Sequence, residues 1–154
     1  PVLSVARSEK RRALMPAVTK IVCPINFSDV SRDSLRTAES IARMFGCELV
    51  VVHVVENAAD ERAIPELPAN CTYRQIVLRG GAAERVLDYI EDAGADLLVI
   101  GAQRKLFRDA TVIGTTTERL IRFAHVPVLT VVSAAVSAQA QLLDPVGVEL
   151  EARR

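Results

Sequence analysis

Two short stretches carry the residue types that suit a phosphorylated ligand. The first, GAQRKLFRDATVIGTTTERLI, runs from Gly101 to Ile121 and follows the apolar run DLLVI. Gly101 and Gly114 frame a segment rich in Arg and Thr, and Thr115 and Thr116 stand where a helical pattern begins. Glycine lets a backbone come close to a phosphate and adopt positive φ. The first amides of a helix are unpaired and carry partial positive charge, so they attract anions. The hydroxyls of Thr115 and Thr116 add donors, and Arg104, Lys105 and Arg108 add cations. The same residues also have a plain structural reading. Gly101 then ends a strand, Thr115 with Glu118 has capping-box spacing, and the basic cluster is solvated. The local pattern leaves both readings open. The second stretch is INFSD, residues 25–29. Ser28 beside Asp29 reads there as turn chemistry, not as an activated nucleophile.

Other chemistries find no support. There is no GxxxxGK[ST] loop, no GxGxxG after the first strand and no GxSxG elbow. His53 sits inside the apolar run ELVVVHVV and reads as a core histidine, and His125 lies in a connection beside Pro127. Cys23, Cys47 and Cys71 form no CxxC pair, so neither a metal centre nor a disulfide framework is expected. A reducing, cytoplasmic setting is expected. Acidic and basic residues number 19 each, and this zero net charge argues against a nucleic-acid binder. No run approaches the ~20 apolar residues of a membrane span. No catalytic residue is expected.

The elements that must position these loops alternate. KIVCPI at 20–25 reads as a buried strand, with Pro24 at its end, because proline cannot donate to a ladder. A helix over 31–45 follows, with Ser31 as N-cap and Gly46 at its stop. ELVVVHVV at 48–55 is apolar on both faces, as a strand covered by helices must be. A turn or two of helix fits around 58–64. YRQIVLR at 73–79, a helix at 82–93, DLLVIG at 96–101, a helix at 115–124 and PVLTVV at 127–132 complete the series. Such alternation implies an open, doubly wound α/β fold with a five-stranded parallel sheet. In that architecture ligands bind outside the carboxyl ends of the strands, where chain order reverses. Residues 1–18 read as a flexible N-terminal arm, 19–133 as the α/β domain, and 134–154 as a tail that is partly helical or disordered.

Taken in order, these segments resemble the universal stress protein family from about Lys20 to Val132. KIVCPINFSDVSRDSLRTAESIA is similar to the family's opening strand and helix, ELVVVHVVE to its second strand, and GAAERVLDYIEDAGADLLVIGAQ to its third helix and fourth strand. The resemblance implies strand order 3-2-1-4-5, a Rossmann-like nucleotide-binding fold and a homodimer paired through the last strand, from Pro127 to Val132. Nucleotide-binding members carry G-x2-G-x9-G-[ST] after the fourth strand. Here Gly101, Gly114 and Thr115 fit, and Arg104 replaces the second glycine. Asn26 stands where those members place an aspartate near the adenine. The resemblance therefore implies a stress-response module with a degenerate loop and weak or no ATP binding. The alternative is an ATP- or AMP-binding regulator in which Arg104 contacts phosphate.

Overall fold

The structure is a computed structural model that describes residues 2–4, 18–60, 63–64, 72–102, 105–107 and 110–132. Its elements, in chain order, are β1 (Val2–Ser4), β2 (Lys20–Ile25), α1 (Asp29–Phe45), β3 (Glu48–Val55), a 3-10 turn (Ala58–Asp60), β4 (Tyr73–Arg79), α2 (Ala82–Asp92), β5 (Leu97–Ala102), β6 (Lys105–Phe107), β7 (Ala110–Val112), α3 (Thr115–Phe123) and β8 (Val128–Val132). The main sheet runs β4-β3-β2-β5-β8-β1. Its five parallel strands thus have the expected order 3-2-1-4-5.

The pleat explains why the strands are apolar on both faces. Successive side chains alternate between faces. Ile21, Cys23, Ile25, Leu49, Val51, Leu97 and Val99 pack on one side with Leu35, Ala38 and Ala42 of α1. Val22, Val50, Val52, Leu98, Ile100 and Val128 pack on the other with Val86 and Ile90 of α2 and Leu120 of α3. Among the described residues one helix, α1, covers the first face, and Ile64 is also buried in that core. Cys23 is fully buried, and that burial pushes its thiol up to about 12, as expected of a thiol that acts as a small hydrophobe.

Several expectations need correction. Val2–Ser4, read from the sequence as part of a flexible arm, forms an antiparallel edge strand on β8, with Leu3 opposite Leu129. Helix α1 begins at Asp29, and its N-cap is Ser28 rather than Ser31. Ser28 Oγ accepts from the Ser31 amide at 3.2 Å, so Ser31 is the donor of the cap. Gly46 does end the helix, in the left-handed conformation at φ 64. Thr115 is the first residue of α3, behind an N-cap at Gly114 that has no side-chain cap bond, so the Thr115–Glu118 capping box does not form. The segment between Gly101 and Gly114, read as a loop, contains the antiparallel pair β6 and β7. The tail at 134–154, together with Arg104 and Cys71, lies outside the described residues.

One polar clamp ties the amino ends of β2 and β5 together. The Asp96 carboxylate accepts from the Thr19 amide at 2.8 Å, the Thr19 hydroxyl at 2.7 Å and the Lys20 amide at 3.0 Å. Partial burial pushes this carboxyl up, but the three hydrogen bonds and the Lys20 charge outweigh it and hold the group below its ordinary value. A carboxylate with a depressed folded-state pKa contributes stability above its unfolded value, near 3.9, and loses it as pH falls through the folded value. Wild type is therefore expected to resist urea better than Asp96→Asn at pH 7, with the gap narrowing below about pH 4. Urea melts at pH 7 and pH 3 check this, and an equal gap at both contradicts it.

Candidate functional site

The sheet splits at its carboxyl end. β2 stays paired with β3 through Ile25, but its register with β5 is confined to Ile21 and Val22. Pro24 falls beyond that point, where pairing with β5 has stopped, which is how a proline is accommodated in a central strand. The resulting crevice, about 520 Å³, lies between β2 and β5 at the reversal of chain order. Asn26, Gly101, Gly114, Thr115 and Thr116 all line it. The structure thus brings these five residues together; Lys105, also singled out, lies in β6.

Three helices begin at this crevice, and their amino ends are treated differently. At α1 the chain supplies its own oxygen through Ser28. Asn26 Oδ1 in turn accepts from the Ser28 amide at 3.2 Å and from the Ser28 hydroxyl at 2.7 Å. The acceptor oxygen of Asn26 is therefore engaged in shaping this turn. At α2 the N-cap Gly81 has no side chain to offer. Glu56 substitutes for it: its Oε1 accepts from the Ala82 amide at 2.8 Å, which places a carboxylate in the crevice wall. At α3 the N-cap is Gly114, which has no capping side chain. Thr117 is turned away from that role, because its hydroxyl donates to the Gly101 carbonyl at 3.3 Å. Among the described residues, α3 alone of the three ends has no side-chain oxygen on its first amides.

Gly101 has a packing reason beyond the binding role expected from the sequence. A Cβ there would lie 2.7 Å from Val30 Cγ1, 2.8 Å from the Val30 carbonyl oxygen and 3.0 Å from its carbonyl carbon. Only glycine lets the first turn of α1 press this closely on β5. The floor between them carries one strained residue. Phe27 is the single non-glycine with positive φ among the described residues, at 63°. A left-handed residue with a Cβ costs roughly 1–2 kcal/mol. Its ring meets the buried His53 edge-on, with centroids 4.6 Å apart. His53 Nδ1 bonds the Ile25 carbonyl at 3.2 Å, so the histidine is a core residue that also fixes the crevice floor.

The sequence reading missed Glu56, Phe27 and Thr117 as site residues. Glu56 had a usable signal, since it is the first polar residue after the apolar run of β3 and so stands at a strand's carboxyl end. The strain at Phe27 and the bond of Thr117 depend on backbone geometry that residue types do not announce. Among the described residues, no group of three His, Cys, Asp or Glu is placed to hold a metal. Nor is any helix among them long and apolar enough to cross a membrane.

Comparison with known proteins agrees with this architecture. The sequence model of the universal stress protein family matches residues 17–70 and 66–132. The chain belongs to that family. A universal stress protein of Methanocaldococcus jannaschii is 28% identical over 141 residues, covering 73% of this chain and 81% of that protein. The structure of the universal stress protein UspA from Lactobacillus plantarum superposes with a TM-score of 0.60 at 18% identity, over 74% of this chain and 97% of that one. The structure of the universal stress protein from Archaeoglobus fulgidus in complex with dAMP gives 0.54 at 19% identity, over 75% and 98%. At such identities the structural likeness establishes the fold alone.

The contact between α1 and β5 makes a direct prediction. Gly101→Ala should destabilise the chain by about 1–3 kcal/mol, since the clash includes backbone that no rotamer change relieves. Gly114→Ala has nothing within 4 Å of the new Cβ and an ordinary φ of −61°, so it should cost well under that. Urea denaturation of both variants tests the contrast, and equal losses would refute the packing role of Gly101.

Proposed function

We propose that this universal stress protein works by binding a nucleoside phosphate in the crevice, not by catalysis, and that it binds ATP weakly. The observation that carries the reading is the end of α3. Three helix amino ends meet at one crevice, two are neutralised by Ser28 and Glu56, and the third is left with its first amides uncapped. An anion is the natural complement of such an end. The volume of about 520 Å³ lies within the ~300–1,000 Å³ of small-molecule sites. That a relative of the same fold was solved with dAMP supports the ligand class.

Two features of the crevice support weak ATP binding. Glu56 adds a negative charge to the wall, which opposes a highly charged triphosphate and steers the phosphoryl end toward α3. The Asn26 oxygen that would accept from an adenine amino group already holds the Ser28 turn. In this proposal Gly114, Thr115 and Thr116 contact the phosphate, Gly101 permits its approach, and Asn26 borders the base. Arg104 belongs to the same proposal, and its replacement by glycine separates a blocking side chain from a phosphate contact by the direction of the change. The setting is proposed to be cytoplasmic. Pairing of two copies through Pro127–Val132 is part of the proposal too, and it requires β1 to leave the outer edge of β8.

Isothermal titration with AMP and ATP tests the reading. The expected ATP dissociation constant is above about 1 μM, and submicromolar binding contradicts the weak-ATP claim. Thr115→Pro is the diagnostic variant. Proline is tolerated at the first helical position, and Gly114, at φ −61° and ψ 146°, already has the extended conformation a residue before proline needs. The substitution deletes one amide and one hydroxyl from the phosphate end while preserving the helix. Affinity for AMP should fall at least tenfold, about 1.4 kcal/mol, while Glu56→Gln should raise ATP affinity. Unchanged AMP binding by Thr115→Pro refutes the site.

A further inference from the structure

We infer that β1 is an intrachain cap on the outer edge of β8 and that it competes with a second copy of this chain for that edge; the inference rests on the proposed pairing through the last strand. β8 is paired along its whole inner edge, Val128–Val132, with β5. Its outer edge is met by β1, antiparallel, with Val2 opposite Thr130, Leu3 opposite Leu129 and Ser4 opposite Val128. Among the described strands of the main sheet, β1 alone pairs antiparallel, and the other five are parallel. β1 therefore has no place in the winding order that builds the rest of the domain.

The antiparallel direction identifies the competitor. Two copies of one strand related by a two-fold axis pair antiparallel, each residue i facing j as j faces i. Centred on Thr130, such a pair would set Thr130 against Thr130, Leu129 against Val131 and Val128 against Val132. β1 thus occupies the slot that a second β8 would enter, in the same direction. The two occupants differ in length. β1 offers three residues to the outer edge, and a second β8 offers five. The longer partner gains more ladder, but the cap is tethered. A tethered segment acts at an effective concentration on the order of millimolar, so at micromolar protein the three-residue cap prevails. Short edge strands are also a common guard against unintended pairing. The edge then has two states: closed by β1 in a single chain, or open and paired with a copy.

Engineered cysteines test this on the full chain. Leu3→Cys with Leu129→Cys places two thiols at directly opposed positions, in a background carrying Cys71→Ser. After mild oxidation, a non-reducing gel should show a link within one chain, and light scattering at ~10 μM should give the single-chain mass of 16.7 kDa. Leu3→Pro removes a backbone donor from β1 and should open the edge, giving twice that mass at the same concentration. Ser4→Pro serves the same purpose if Leu3→Pro misfolds, with circular dichroism checking the fold of each. A link that joins two chains shows that β1 is exchanged between copies and overturns the cap. Dimerisation of the locked form as readily as of the proline variants overturns the competition. If β1 locks within one chain and the opened variants stay single, the pairing reading itself falls and the cap has nothing to compete with.

Discussion

The backbone of Gly101 and the first turn of α1 lie so close that a Cβ on Gly101 would stand 2.8 Å from the Val30 carbonyl oxygen. The site depends on this approach. It draws the amino end of α1 against β5 just where β2 and β5 part. Without it, the Ser28 turn and the Gly114 turn would not face the same space. The Thr117 hydroxyl completes the arrangement from the other side by bonding the Gly101 carbonyl, which ties the first turn of α3 to the same residue. One glycine therefore sets the positions of two helix ends.

The distribution of capping then gives the crevice its polarity. A helix amino end carries about half a unit of positive charge on unpaired amides. The chain satisfies two of the three ends from within, by a hydroxyl at α1 and by the Glu56 carboxylate at α2. A ligand entering this space meets an electropositive end at α3, a carboxylate at α2, and a largely apolar floor that includes Pro24, Phe27 and Ile100. Such an arrangement is the basis for proposing an amphipathic anion as the ligand. The strained backbone of Phe27, held against His53, is the kind of local cost that persists where surrounding packing over-determines a binding surface.

Much of the fold was legible because each strand buries both faces. Runs such as ELVVVHVV announce a covered parallel sheet, and the helices between them fix strand order through handed crossovers. The residues at the strand ends were legible too, since Asn26, Gly101, Gly114, Thr115 and Thr116 all reach the crevice. What escaped the reading shares a cause. The choice between Ser28 and Ser31 as the cap of α1, and between Gly114 and Thr115 at α3, are shifts of three residues and one that composition does not resolve. The pairing of Val2–Ser4 with β8 joins segments more than a hundred residues apart, and a three-residue strand carries no periodicity to reveal it. Glu56 was missed for a different reason: its partner, the Ala82 amide, belongs to a helix reached across the crevice.

The central claim, that the amino end of α3 is the anion-binding pole of the crevice, is tested most directly by mapping backbone amides during a titration. Nitrogen-15 spectra of the wild-type chain, recorded as AMP is added, report each amide separately. The account predicts the largest shifts at Gly114, Thr115, Thr116 and Thr117, with Gly101 following, and little change at Ala82, whose amide Glu56 already holds. Shifts centred on Ala82 and the start of α2, with the amides of 114–117 unmoved, would contradict it.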